Sequence, residues 1–134
     1  MTTPFDTRSN ITRLFGIEAI SSDPEAGTVV MAYAPDHRMT NPRGEVQGGI
    51  VAALLDNAMA RALAAMNDNK VVASTVDMNV SFLEPVRPGR VIGHGKVIRQ
   101  GRTIAFLEAE LRDEDGRVLA RGTSTAIPVA IPGV

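Results

Sequence analysis

The chain has 134 residues, 14 Lys+Arg against 15 Asp+Glu, two histidines and no cysteine. At roughly 100–200 residues per domain, residues 1–134 are expected to form one domain, large enough to bury a core without covalent staples. The missing thiols exclude disulfides and thiolate metal sites, two histidines alone do not fill a zinc shell, and a formal charge of −1 argues against a nucleic-acid-binding surface.

Hydrophobic content of 44% with 22% charged residues is ordinary globular composition. No uninterrupted apolar run reaches the ~18 residues of a membrane span. Residues 1–10, MTTPFDTRSN, lack the apolar core of a signal peptide, so the expectation is a soluble cytoplasmic protein with no membrane partner.

In chain order, Ser9 or Asn10 offers an N-cap and Gly16 a stop, which predicts a short helix over about 9–15. Two β-rich runs flank Asp23-Pro24-Glu25-Ala26-Gly27 and read as a hairpin. Residues 35–45 hold two prolines, a glycine and several charges, the composition of a long loop that is often functional. From Ile50 to Met66 only Asp56, Asn57 and Arg61 are not apolar. Such a stretch is too long for a strand and too apolar for a surface helix, so a buried central helix is expected over about 47–66. Period-two alternation then places Val76, Met78, Val80 and Phe82 on one strand face, with Thr75 on the other. The glycines of the segment 89–101 suggest bends or close backbone contact, and 102–113 aligns Ala105, Leu107, Ala109 and Leu111. Glu114-Asp115-Gly116 supplies a turn into the last strand. The sum is an α+β fold, a largely antiparallel sheet around one buried helix.

Asp56 is the residue that this pattern does not explain. Burying a carboxylate without a partner is expensive, so either it lies with Asn57 and Arg61 on a narrow wet stripe or it serves a cavity. The Gly48-Gly49 pair at the helix start also has two readings. It could let the helix pack closely on a strand, or it could open the unpaired N–H groups of a helix terminus to a ligand oxygen. Such a donor would stabilise an oxyanion developing on a carbonyl.

The run NPRGEVQGGIVAALLDNAMARAL, together with VDMNVSFLEPVRPG and KVIRQGRTIAFLEAEL, resembles the hotdog-fold acyl-CoA thioesterases of the phenylacetate-degradation and 4-hydroxybenzoyl-CoA type. The similarity spans roughly residues 8–127. It implies a hotdog fold, hydrolysis of an acyl-CoA thioester to acid and CoA, no metal and no cofactor beyond the CoA of the substrate, and a homo-oligomer, dimer or tetramer. By the same resemblance Asp56 is the nucleophile or the general base on water, and Gly48 supplies the oxyanion N–H with Gly49 beside it. Asn41 orients the thioester or water, and Thr75 or Ser74 hydrogen-bonds near the acid. Gly101-Arg102-Thr103 resembles a phosphate-contacting turn, and Arg87, Arg90 and Arg99 join Arg102 as candidate phosphate ligands, against the plainer reading of solvated turn arginines.

One departure is chemical. The family's histidine before Gly-Gly is Gln47, which orients through hydrogen bonds but does not titrate near neutrality. A non-catalytic acyl-CoA-binding module is therefore the alternative. A hydratase is a weaker one, because His37 and His94 both lie away from the helix start. Gly48 and Asp56 are eight residues apart, about 12 Å along a helix, so joint action on one carbonyl requires two protomers. Acyl-pocket depth is expected to depend on Met59, Leu63 and Phe82.

Overall fold

Ser9 opens the first helix by accepting the Thr12 N–H, and Gly16 closes it in the left-handed conformation at φ 59°. Between these caps runs α1 (Asn10–Phe15), so of the two possible N-caps the structure uses Ser9. The chain was described by a computed structural model covering residues 9–132. The part of the N-terminal reading that falls on residues 1–8 lies outside the described residues.

The hairpin expected around Asp23 is β1 (Glu18–Asp23) and β2 (Thr28–Tyr33). The long loop carries a single 3-10 turn at His37–Met39 and a bridge between Thr40 and Val46. The central helix α2 runs over Gly48–Met66, with Gln47 as its N-cap. Then follow β3 (Val71–Phe82), β4 (Val91–Gln100), β5 (Ala105–Arg112) and β6 (Val118–Ala130). One six-stranded sheet results, in the order β1-β2-β4-β5-β6-β3, and all its pairings are antiparallel.

The sheet curls around α2. Leu54, Leu55, Ala58, Met59, Ala62 and Leu63 are fully buried against it. At roughly 2 kcal/mol per buried large side chain, Leu54, Leu55, Met59 and Leu63 make a substantial contribution to hydrophobic stabilisation. By length and hydropathy alone α2 would pass for a membrane span, but its apolar side chains face the sheet. This is the hotdog arrangement that the resemblance implies.

The two glycines in β4 explain how the helix comes so close. A Cβ on Gly95 would collide with the backbone carbonyl of Ala58, and one on Gly93 would sit 2.7 Å from the Tyr33 ring. Helix backbone therefore lies directly on strand backbone at β4, the close contact expected from the segment's composition. In β5, Ala105, Leu107, Ala109 and Leu111 are buried and alternate with outward-facing residues, as their spacing predicts.

The period-two reading of β3 needs correction. Pairing with β6 runs Thr75 against Ala126 and then Asp77 against Thr125, so Val76 is an extra, bulged residue. A bulge shifts the alternation by one. Before it, Val71 and Ala73 pack on the core and Thr75 faces the helix; after it, Met78 and Val80 take over. Val76 is left 58% exposed, and Thr75 lies on the helix face rather than away from it.

Candidate active site

Asp56 lies half-buried on α2, on the side that faces β3. The Thr75 hydroxyl donates to Asp56 Oδ1 across 2.8 Å. Ser74, one residue earlier in a regularly paired stretch, is exposed and falls on the opposite face of the sheet. The structure thus pairs the carboxylate with Thr75, not with Ser74.

Asn57 and Arg61 do not share a stripe with that acid. The buried Tyr33 hydroxyl donates to Asn57 Oδ1 across 2.9 Å. Arg61 lies half-buried on the same side, next to the groove between β1 and the helix. Burial raises the Tyr33 phenol well above its ordinary pKa, with Arg61 opposing the shift and Asp56 adding to it. Burial also pulls the Arg61 guanidinium down. On the helix, Asp56 is thus hydrogen-bonded toward β3 and Asn57 toward Tyr33 of β2.

At the other end of the same face, the first turn of α2 leaves the Gly48 and Gly49 N–H groups with no hydrogen-bond acceptor among the described residues. Here the two readings of the glycine pair separate. A Cβ on Gly48 would touch only the Phe82 ring, at 3.4 Å, and one on Gly49 would meet nothing within 4 Å. Packing requires glycine at 93 and 95, but not at 48 or 49. What the glycines leave is open backbone at the positive end of a helix dipole. Gln47 is exposed and its side chain makes no capping hydrogen bond.

Gly48 opens onto a pocket of about 300 Å³ that also involves Asn41, Val46, Val51, Phe82 and Val86. Asn41 Oδ1 accepts the N–H groups of Arg43 and Glu45, which holds the loop in a tight turn, and an Arg43–Glu45 ion pair of 3.2 Å lies at the rim. Asn41 and Gly48 are thus brought together. Asp56 is not in this pocket, and α2 is unbroken between the two, so the separation of about 12 Å stands.

Comparison with known proteins gives this arrangement a family. The thioesterase superfamily model matches residues 44–120, which hold the Gly-Gly turn, Asp56 and Thr75. The chain belongs to the thioesterase superfamily. It is similar to acyl-coenzyme A thioesterase 13 of Homo sapiens, at 30% identity over 119 residues that cover 87% of this chain and 83% of the relative. Among solved structures, a phenylacetic acid degradation-related protein of Ralstonia eutropha JMP134 aligns with a TM-score of 0.81 and 32% identity, over 87% of this chain and 88% of that one. Zebra fish thioesterase superfamily member 2 aligns with a TM-score of 0.78 and 27% identity, over 90% and 88%. Thioester hydrolysis is the general chemistry of this family.

Within this superfamily member the candidate phosphate ligands do not gather at one place. Arg87 and Arg90 precede β4, whereas Arg99, Arg102 and Thr103 lie at its far end, about 30 Å away for a ten-residue strand. Sequence proximity misleads here because the strand between them is fully extended. Arg90 is engaged by Glu18 at 3.2 Å and Glu114 at 3.7 Å. Arg87, Arg102 and Thr103 are exposed.

His37 is exposed in its 3-10 turn. His94 lies between the two packed glycines and so points away from the helix, into a charged cleft on the outer sheet face with Glu110 and Arg112. Burial, and then Arg112, lower its pKa, with Glu110 opposing. Neither histidine approaches Asp56. Among the described residues no His, Asp and Glu side chains converge in a metal-ligating group.

Met59 and Leu63 are core residues and do not line the pocket. Its floor, Val46, Val51 and Val86, had no local signal in the sequence. Val46 and Val86 meet because the Val46 N–H donates to the Val86 carbonyl across 2.7 Å, a bond between two loops forty residues apart.

Proposed function

We propose that the protein is an acyl-CoA thioesterase whose site is shared between two protomers. The observation that carries this reading is the pair of unpaired amides at Gly48 and Gly49, exposed where packing does not call for glycine. Positive partial charge at that point suits an oxygen that gains negative charge as a thioester carbonyl is attacked. In this account the carbonyl oxygen accepts from the Gly48 N–H, and Asn41 orients the substrate or the water. Asp56, held by Thr75, either takes a proton from water or attacks the carbonyl to form a transient anhydride. Coenzyme A leaves as the thiol and the acid is released. No metal or organic cofactor enters these steps. Arg87, Arg102 or Thr103 are the candidates for holding the CoA phosphates.

The acid that acts at one Gly48 is Asp56 of the partner subunit. Two features support this. The 12 Å between the two groups is too long for one chain to bridge. In addition, β3 ends the sheet with an unpaired edge along which Ser74, Thr75, Val76 and Asp77 are exposed, a liability unless covered. Pairing of two β3 edges about a two-fold axis would run the helices antiparallel and set each Gly48 toward the opposite Asp56.

A non-catalytic acyl-CoA-binding module is the second reading, and Gln47 supports it because its amide supplies no titrating proton. One assay separates the two. Free thiol release is measured over short, long and aromatic acyl-CoAs with an Asp56→Asn control. Release that the control abolishes supports the enzyme; acyl-CoA binding without release supports the module.

A further inference from the structure

We infer that Phe82 is the residue that sets which acyl groups the site accepts, an inference that rests on the thioesterase reading above. Phe82 is the last residue of β3, and two of its ring carbons lie 3.4 Å from where a Gly48 Cβ would be. The ring therefore lies against the helix tip that offers the amide donors. It packs on one side only and is 56% exposed, so the core does not account for an aromatic group at this position.

Together with Leu83, 52% exposed, Phe82 forms the outer wall of the 300 Å³ pocket, whose floor is Val46, Val51 and Val86. Pockets that bind small molecules span roughly 300–1,000 Å³, so this one suits a compact group. The side chains of this floor and outer wall are apolar, which suits the hydrocarbon of an acyl group, while Asn41, Arg43, Glu45 and Glu84 supply the polar part of the lining. The wall is also held in place. The Leu83 and Glu84 N–H groups both donate to the Leu119 carbonyl, and Arg117 pairs with Glu84 at 2.7 Å. The loop that carries Leu83 is thus fixed to β6, to which Phe82 is also paired through Ala120. An acyl chain entering beside Gly48 meets the ring within its first few carbons.

The test is a comparison of kcat/KM across straight-chain acyl-CoAs of increasing length for wild type, Phe82→Leu and Phe82→Ala. Single methylene contacts shift specificity by about 10-fold or more, so the ratio of long-chain to short-chain kcat/KM is expected to rise at least about tenfold in Phe82→Ala, with Phe82→Leu intermediate. An exposed ring can be removed without loss of the fold, and an unchanged melting temperature verifies this. A length profile that is the same in all three proteins, with turnover retained, overturns the role of Phe82 and leaves the thioesterase reading intact. Absence of thiol release from every substrate in wild type overturns that reading, and this inference with it.

Discussion

Thr75 and Asp56 meet across 2.8 Å because Val76 is bulged out of the pairing between β3 and β6. Without the bulge, Thr75 would alternate with Met78 and Val80, which pack on the core, and would point away from the helix. Bulges commonly re-aim a side chain beside an active site, and this one delivers a hydroxyl to the candidate catalytic acid. Asp56→Asn should lower kcat by about 10²–10⁴-fold, the usual contribution of a positioned acid or base, and leave the far-UV spectrum unchanged. Thr75→Val should cost less, and Thr75→Ser, which keeps the hydroxyl, less still. Full activity in Asp56→Asn would remove the carboxylate from the mechanism.

The glycines divide by function in a way that substitution can read. Gly48→Ala adds a methyl group where only the Phe82 ring is near, and alanine is the better helix former by up to about 1 kcal/mol. Its melting temperature should hold or rise while kcat/KM falls, because the methyl group crowds the amide donor. Gly95→Ala drives a Cβ into the Ala58 carbonyl and should destabilise by about 3 kcal/mol or more in urea unfolding. A Gly48→Ala protein that unfolds early would return that glycine to a packing role.

Tyr33 and Asn57 form a part-buried pair on the side of α2 turned away from Thr75, outside the proposed chemistry. Tyr33→Phe leaves Asn57 Oδ1 without its donor, at a cost of about 1–3 kcal/mol. Urea unfolding should show this loss, and kcat per folded protein should not change.

On the outer sheet face, hydrogen bonding from Arg112, together with Arg121, holds the Glu110 carboxyl below its ordinary pKa. A depressed folded-state pKa stabilises the fold above the unfolded value, about 4.3, and that stability is lost as pH falls through the folded-state pKa. Wild type should therefore lose stability in acid more steeply than Glu110→Gln. The difference between them should be largest near neutrality and vanish at low pH. Parallel curves of melting temperature against pH would show that the pair contributes nothing.

Much of this architecture could be read from residue order. Gly16 as a stop, the hairpin at Asp23, the apolar run of α2 and the alternation of β5 are local patterns, each with a local physical cause. The phase of β3 was not legible, because a bulge is set by which residues of β6 oppose it. The pocket beside Gly48 was only partly legible. Asn41 and Gly48 stand close in sequence, but Val86 reaches them through a bond between loops. The arginines show the converse, neighbours in sequence that an extended strand holds apart.

The two-chain site is tested most directly by complementation. Asn41→Ala and Asp56→Ala, each inactive alone, are mixed, dissociated and reassociated, and mixed dimers are verified by mass. Each mixed dimer holds one site with both residues intact, so random reassociation should restore about one quarter of wild-type activity. Verified mixed dimers with no activity above that of the separate variants would contradict a site built from two protomers.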